Sequence, residues 1–182
     1  MTATTLKKQL CLGILFSIFY FNAIEAREKK EIRTIILTYE VKSAKEMAYS
    51  FFIDFEKFGK LHPVFKETKR ISEANGNSIG TFSVKEFIFL YGFIPLHPKY
   101  DVQVIETEKG TRIQYLSQIK KSVHAEINFS FSEESETHST IIREEIILSG
   151  NPIICNILLG QMKKKHLILI ENLKKELIHL ND

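Results

Sequence analysis

With 182 residues the chain has room for one domain with a sizeable core and hardly for two. Its 44% hydrophobic and 26% charged residues are ordinary for a globular protein and exclude a chain too polar to fold. A net charge of +3, with no single element gathering the basic residues, argues against nucleic acid as a partner.

The N-terminus has a plan of its own. Lys7 and Lys8 precede an apolar run over residues 10–24, and Ala26 offers a small residue ahead of Arg27, Glu28, Lys29 and Lys30. Charge, apolar stretch and small residue in that order make a secretory signal peptide. The run is shorter than the roughly 20 residues of a spanning helix. The expectation is cleavage near Ala26, export to the periplasm or the outside, and a single mature domain over 27–182. Ile24 is large for the position three before the cut, so an uncleaved N-terminal membrane anchor is the alternative. Cys11 falls within the run, which leaves Cys155 without an internal disulfide partner, and the fold must stand on its core.

Residues 32–41 are rich in β-branched side chains, with apolar residues at 35, 37, 39 and 41, and read as a first strand. Ser43 to Glu46 has the S-x-x-E form of a capping box and opens a helix through Met47, Ala48, Phe51 and Phe52. Asp54 caps a second short helix over 55–61, which stops at His62 because Pro63 drives its predecessor out of helical geometry. From Val64 the period becomes two. Strands are expected over 64–73, 78–93, 100–107, 111–120, 123–133 and 139–149, with turns at Asn75-Gly76, Lys109-Gly110 and the polar stretch 133–138. Most of these connections are too short for crossover helices, so the sheet is antiparallel.

The stretch from Val123 alternates most regularly. Val123, Ala125, Ile127, Phe129 and Phe131 face one way, and His124, Glu126, Asn128, Ser130 and Ser132 the other, so one face is wet. After Gly150, Asn151 supplies a cap and Pro152 the first position of a helix of about 28 residues. Its apolar residues recur at 154, 158, 162, 169, 173, 177 and 180. Gly160 within it costs roughly 1 kcal/mol against alanine, which a bend or a close approach to the sheet would explain.

One strand, two short helices, six strands and one long helix is the layout of the helix-grip fold. This is an α+β class, with a curved seven-stranded antiparallel sheet closed by a long C-terminal helix. On residues 43–52, 54–63 (DFEKFGKLHP) and 161–177 (QMKKKHLILIENLKKEL) the chain resembles the START-like (SRPBCC) superfamily. That superfamily includes the birch-pollen-allergen type proteins and the bacterial polyketide cyclase/dehydrase and lipid-transport family. The likeness is one of architecture over residues 31–180 with a loose aspartate-to-proline segment. Phe55, Phe58 and Phe65 stand where many such proteins carry tryptophan. The resemblance implies a cavity between helix and sheet that holds a hydrophobic ligand. It transfers no reaction, because the fold serves carriers and cyclases alike. Composition is compatible: 14 Phe, 6 Tyr and no Trp suit either a dry core or a greasy cavity.

The candidate ligand-binding residues follow from spacing. Met162, His166 and Leu169 share the sheet-facing side of the last helix, so His166 is a group that fixes a ligand or moves a proton, or else a satisfied helix histidine. Glu144 shares a face with Ile142 and Ile146, and Glu86 with Val84 and Ile88. Turned inward, either carboxyl has a raised pKa and serves as an acid or binds a polar head. An outward or rim position is expected for both, because a buried unpaired charge is costly. Phe89, Phe93 and Ile94 lie in or beside the apolar connection 91–99, which forms a lid or packs under the helix.

His62-Pro63 and His97-Pro98 lie in separate loops without a paired ligand at i+4, so no metal is expected. There is no G-x-S-x-G and no glycine-rich phosphate loop, and no cofactor is expected. Cys155 opens the last helix, where the dipole can lower a thiol pKa, but the plainer reading is a small buried residue. Lys163, Lys164, Lys165, Lys174 and Lys175 give that helix a basic flank. It is either the solvated side or a weak contact with an anionic membrane surface, worth about 1 kcal/mol per lysine.

Non-catalytic binding or carriage of a lipid-like or aromatic small molecule is therefore the leading expectation. A cyclase- or hydratase-type enzyme using Glu144, Glu86 or His166 is the alternative, and needs two of them inward and close. An exported protein-interaction domain without ligand is the other. A cavity above about 300 Å³ favours the binder, and a solid core the interaction domain.

Overall fold

The computed structural model describes residues 30–90, 94–120, 123–136 and 138–181; the expected signal peptide, 1–26, lies outside them. Strand β1 (Glu31–Val41) alternates as its sequence demands, with Tyr39 and Val41 buried and Ile32 and Ile36 facing solvent. Helices α1 (Lys45–Ile53) and α2 (Phe55–Leu61) follow. The capping box does not form. Ala44 holds the N-cap without a side-chain bond, while Ser43 is buried, turns its hydroxyl to the Ala44 carbonyl, and accepts at its own carbonyl from Thr140 Oγ1 at 2.7 Å. Asp54 does cap α2, accepting from the Lys57 N–H at 3.1 Å, and His62 ends the helix before Pro63.

Eight strands and a helix follow among the described residues. They are β2 (Phe65–Ser72), β3 (Ser78–Glu86), β4 (Ile88–Leu90), β5 (Ile94–Leu96), β6 (Lys99–Glu108), β7 (Arg112–Lys120), β8 (Val123–Glu134), β9 (Ser139–Gly150) and α3 (Pro152–Asn181). Seven strands form one antiparallel sheet in the order β1-β9-β8-β7-β6-β3-β2. Because β1 and β2 sit at opposite edges, α1 and α2 span the width of the sheet.

The expected strand over 78–93 is two strands. At the break the Glu86 N–H bonds to the Pro98 carbonyl (3.0 Å) and the Phe87 N–H to the Val64 carbonyl (2.9 Å), so the chain leaves the ladder there. β4 then pairs with β5 as a separate hairpin.

Helix α3 starts as its sequence indicates: Asn151 Oδ1 accepts from the N–H groups of Ile153 and Ile154 at 3.0 and 3.1 Å. It packs on β1 and β9. Its second half sends Leu169, Ile170, Leu173 and Leu177 into the core, whereas Leu180, expected on the same stripe, is exposed. A Cβ at Gly160 would meet nothing within 4 Å, so no close approach accounts for that glycine.

The phenylalanine bias is largely a dry core. Phe52 meets Phe129, Phe131 and Phe58 at ring separations of 4.8, 5.2 and 5.6 Å, and Phe55 meets Phe82 at 4.9 Å. Each fully buried ring stabilises the fold by about 1.5–3 kcal/mol. Cys155 is buried beside Val123, Ala125 and Leu148, and that burial pushes its thiol pKa up, against any lowering by the helix dipole.

Candidate functional site

The inward side chains of the sheet taper along the strands. On β8 they run Phe131, Phe129, Ile127, Ala125, and on β7 the neighbouring positions run Ile113, Tyr115, Ser117. Large rings fill the space under the second half of α3. Ser117 and Ala125 leave it open under the first half. The result is a cavity of about 200 Å³ between α2, the sheet and the first half of α3. Its walls are mostly apolar, with Phe58, Ile127, Ile154, Leu158 and Met162 among them, and Ile88, Leu96 and Pro98 closing one side. Gln161 Nε2 donates to the Phe89 carbonyl at 3.3 Å and ties α3 to the β4–β5 hairpin there.

Polar groups gather where the cavity meets the core. The period of β9 puts Glu144 on the face of Ile142 and Ile146, and that face is inward: all three are fully buried. The expected outward or rim position of Glu144 is therefore corrected. Its burial is tolerable because both oxygens are satisfied: Oε1 bonds His166 Nδ1, and Oε2 accepts from the Tyr39 hydroxyl at 3.0 Å. Burial, and then the adjacent carboxylate, raise the Tyr39 pKa well above its usual value. Neither partner was visible from β9 alone, since one comes from β1 and the other from α3.

Glu86 is half-buried, at the end of β3 on the cavity wall, where its Oε1 accepts from the Tyr100 hydroxyl at 2.5 Å. Burial raises its pKa above the ordinary 4.5, while the Tyr100 bond and the nearby His166 pull it back in part. Tyr100 itself is held well above its usual pKa by burial.

His62, considered from sequence only as a metal ligand, lies on the same wall. It is 7% exposed, packs on Phe65 with ring centres 3.9 Å apart, and meets His166 nearly perpendicularly at 5.5 Å. Its Nδ1 is sealed from solvent without a hydrogen-bond partner among the described residues. Burial, then the neighbouring His166 and Lys165, hold its pKa well below 6.5. The signal that could have found it is its place at the end of α2, where Pro63 fixes the turn and aims the ring under α3.

Of the other candidates, Met162 and His166 line the cavity, whereas Glu144 stands behind His166 and not on the wall. Leu169 lies one turn beyond His166, in the core. Phe89 is on β4 and 47% exposed, off the cavity wall. Ile94 is the first residue of β5, and Phe93 lies outside the described residues. The basic flank of α3 divides: Lys163 and Lys164 are exposed, while Lys165 borders the cavity. Among the described residues no group of three or more His, Cys, Asp or Glu gathers as a metal site, and no helix is long and apolar enough to cross a membrane.

No family model and no curated protein matches the sequence. The structure does match solved ones. The Zhui aromatase/cyclase from Streptomyces sp. R1128 superposes at TM-score 0.66 with 10% identity, over 84% of this chain and 97% of that one. Norcoclaurine synthase from Thalictrum flavum gives 0.64 and 11%, over 86% and 100%. A START superfamily protein from Mycobacterium smegmatis gives 0.61 and 16%, over 81% and 98%. At such identities the likeness establishes the fold, and the chain has the helix-grip fold of the START-like (SRPBCC) proteins.

Proposed function

We propose that this protein binds a small hydrophobic molecule in the cavity between α3 and the sheet and carries it without transforming it. The observation that supports the reading is the tapered apolar cavity with its polar groups collected at one side, the usual form of a small-molecule site. Its volume sets the scale of the ligand. About 200 Å³ falls short of the roughly 300 Å³ at which pockets for drug-sized ligands begin, and exceeds the roughly 150 Å³ of a dry cavity that takes up benzene. A compact ring or a short branched chain fits that space, and a whole lipid does not. Export through the N-terminal segment, with cleavage near Ala26, belongs to the same proposal and is checked by N-terminal sequencing of protein from the producing cell.

Titration of the full chain with toluene, followed by NMR, tests the binding. Shifts concentrated on the methyl groups of Met162 and Ile127 support it. Their absence up to millimolar toluene, with the fold intact, overturns it.

One observation favours an enzyme as second reading: Glu144 holds His166, and Glu86, a second carboxyl, shares the cavity. A carboxylate-backed histidine and a carboxyl of raised pKa are the components of general acid–base catalysis. Turnover of a carbonyl compound that disappears in Glu86→Gln with binding retained would establish it.

A further inference from the structure

The two edges of the sheet differ in how they are protected. At one edge β2 carries Lys66, Glu67, Lys69 and Arg70, and its ladder with β3 shifts register twice, between Phe65 and Glu67 and between Arg70 and Ser72. Charges and bulges of that kind keep an edge from pairing further. At the other edge β1 has no such defence over its middle. It pairs with β9 without a shift from Glu31 to Val41, it has no proline or lysine, and no charge lies between Thr34 and Tyr39. Among the described residues nothing pairs with its free side. Ile32 and Ile36, on the face away from α3, are 70% and 49% exposed, and on the other face Arg33, Ile35 and Leu37 are only half-buried.

Helix α3 leaves a matching flank open. Ile153, Leu167 and Ile178 are exposed, and their spacing is close to whole helical turns, so they form one stripe. Leu167 stands two residues after the cavity residue Lys165, which puts the stripe on the flank turned away from the cavity. The cavity side is the one on which Asn172 donates to the Leu61 carbonyl of α2 at 2.8 Å. Strands β3, β6, β7 and β8 line the cavity, so the far flank is the side of β1.

Antiparallel pairing sets side chains of the same face opposite each other, so a strand can pair with its own copy about a two-fold axis. An axis at Arg33 would oppose two arginines. An axis at Thr34 sets Ile32 against the copy's Ile36, twice, and Thr34 against itself, both favourable cross-strand pairs. Arg33 keeps Glu31 at 2.8 Å within its own strand, so no unmatched charge enters the seam. The same axis leaves both α3 helices on one side of the joined sheets with their apolar flanks turned to each other. That contact adds to the strand edge toward the roughly 800 Å² per partner of a stable interface.

We propose that this chain forms a two-fold dimer in which β1 pairs antiparallel with β1 of a second copy about Thr34, joining the two seven-stranded sheets into one. The seam lies away from the cavity, and the proposal is independent of the binding reading.

Sedimentation velocity of the full chain tests it. The expected result is a dimer with a Kd of about 10 µM or below, weakened at least about tenfold in Ile32→Lys/Ile36→Lys. Both positions face solvent, and lysine is what protected edges carry. Circular dichroism checks that the fold is kept. Crosslinking reads the register without adding charge: in a Cys11→Ser background a short bismaleimide should link Thr34→Cys into dimers and leave Glu40→Cys, far from the axis, unlinked. A parent chain that stays monomeric at about 100 µM, as it would if another stretch of the same chain took the edge, overturns the proposal. So does a dimer that the two lysines leave unweakened with the fold intact, or one in which Glu40→Cys links as readily as Thr34→Cys.

Discussion

Replacing His166 by leucine strands the Glu144 carboxylate. That carboxylate has no exposed surface, and after the change it keeps only the Tyr39 hydroxyl at 3.0 Å. Removing one member of a buried, hydrogen-bonded acid–base pair costs about 3–5 kcal/mol, because the other is left desolvated without its partner. For a domain of this size that corresponds to a fall in Tm of roughly 6–20 °C. Replacing the network as a whole behaves differently. In Tyr39→Phe/Glu144→Met/His166→Leu no polar group is left unpaired, and such apolar replacements are commonly neutral or stabilising by about 1–4 kcal/mol. The assay is urea unfolding followed by circular dichroism, with the slope checked for constancy so that midpoints report stability. The single variant should be much the weaker and the triple variant should recover most of the loss. A His166→Leu change costing less than about 1 kcal/mol, or a triple variant as weak as the single one, would refute a tightly paired buried network at this site.

Glu86→Gln tests the carboxyl on the cavity wall. Its folded pKa is raised, so the folded state binds more protons, and stability falls as pH rises from the ordinary 4.5 through the raised value. The glutamine variant should match the parent in acid and exceed it at neutral pH, measured as Tm against pH; parallel curves would contradict this. His62 acts in the opposite sense. Its depressed pKa gives stability that is present above 6.5 and lost as pH falls below it, so His62→Phe should flatten that acid-side decline. Gly59→Ala places a Cβ 2.6 Å from Thr68 Cγ2 and should cost about 1–3 kcal/mol, largely restored by adding Thr68→Ala; if the second change restores nothing, the contact is not the cause. Ala125→Phe fills the cavity from β8 and should lower toluene affinity at least about tenfold with the fold retained.

How much was legible depended on whether the determinant was local. The inward side of β8 and the start of α3 were readable, one from strict alternation and the other from the Asn151-Pro152 cap. The break at Phe87 was not, since 78–93 is uniformly strand-like and the interruption comes from bonds to Val64 and Pro98. Ser43 failed as a cap for a similar reason: Thr140, far along the chain, engages its carbonyl. Helical spacing put Met162 and His166 on one side of α3, and that side lines the cavity. The depth of Glu144 was misjudged, because its cost depends on partners in β1 and α3 that no local pattern reveals. His62 was passed over for want of a second metal ligand. The taper from Phe131 to Ala125 was present in the sequence, and read as volume as well as polarity it marks where the cavity opens.

The most direct test of the binding reading is native mass spectrometry of the full-length protein isolated from the cell that makes it, compared with the same sample denatured. A reproducible added mass that is lost on denaturation, and small enough for a cavity of about 200 Å³, is the predicted result. A bare protein mass that stays unchanged after exposure to an extract of the producing cell's small molecules would contradict it.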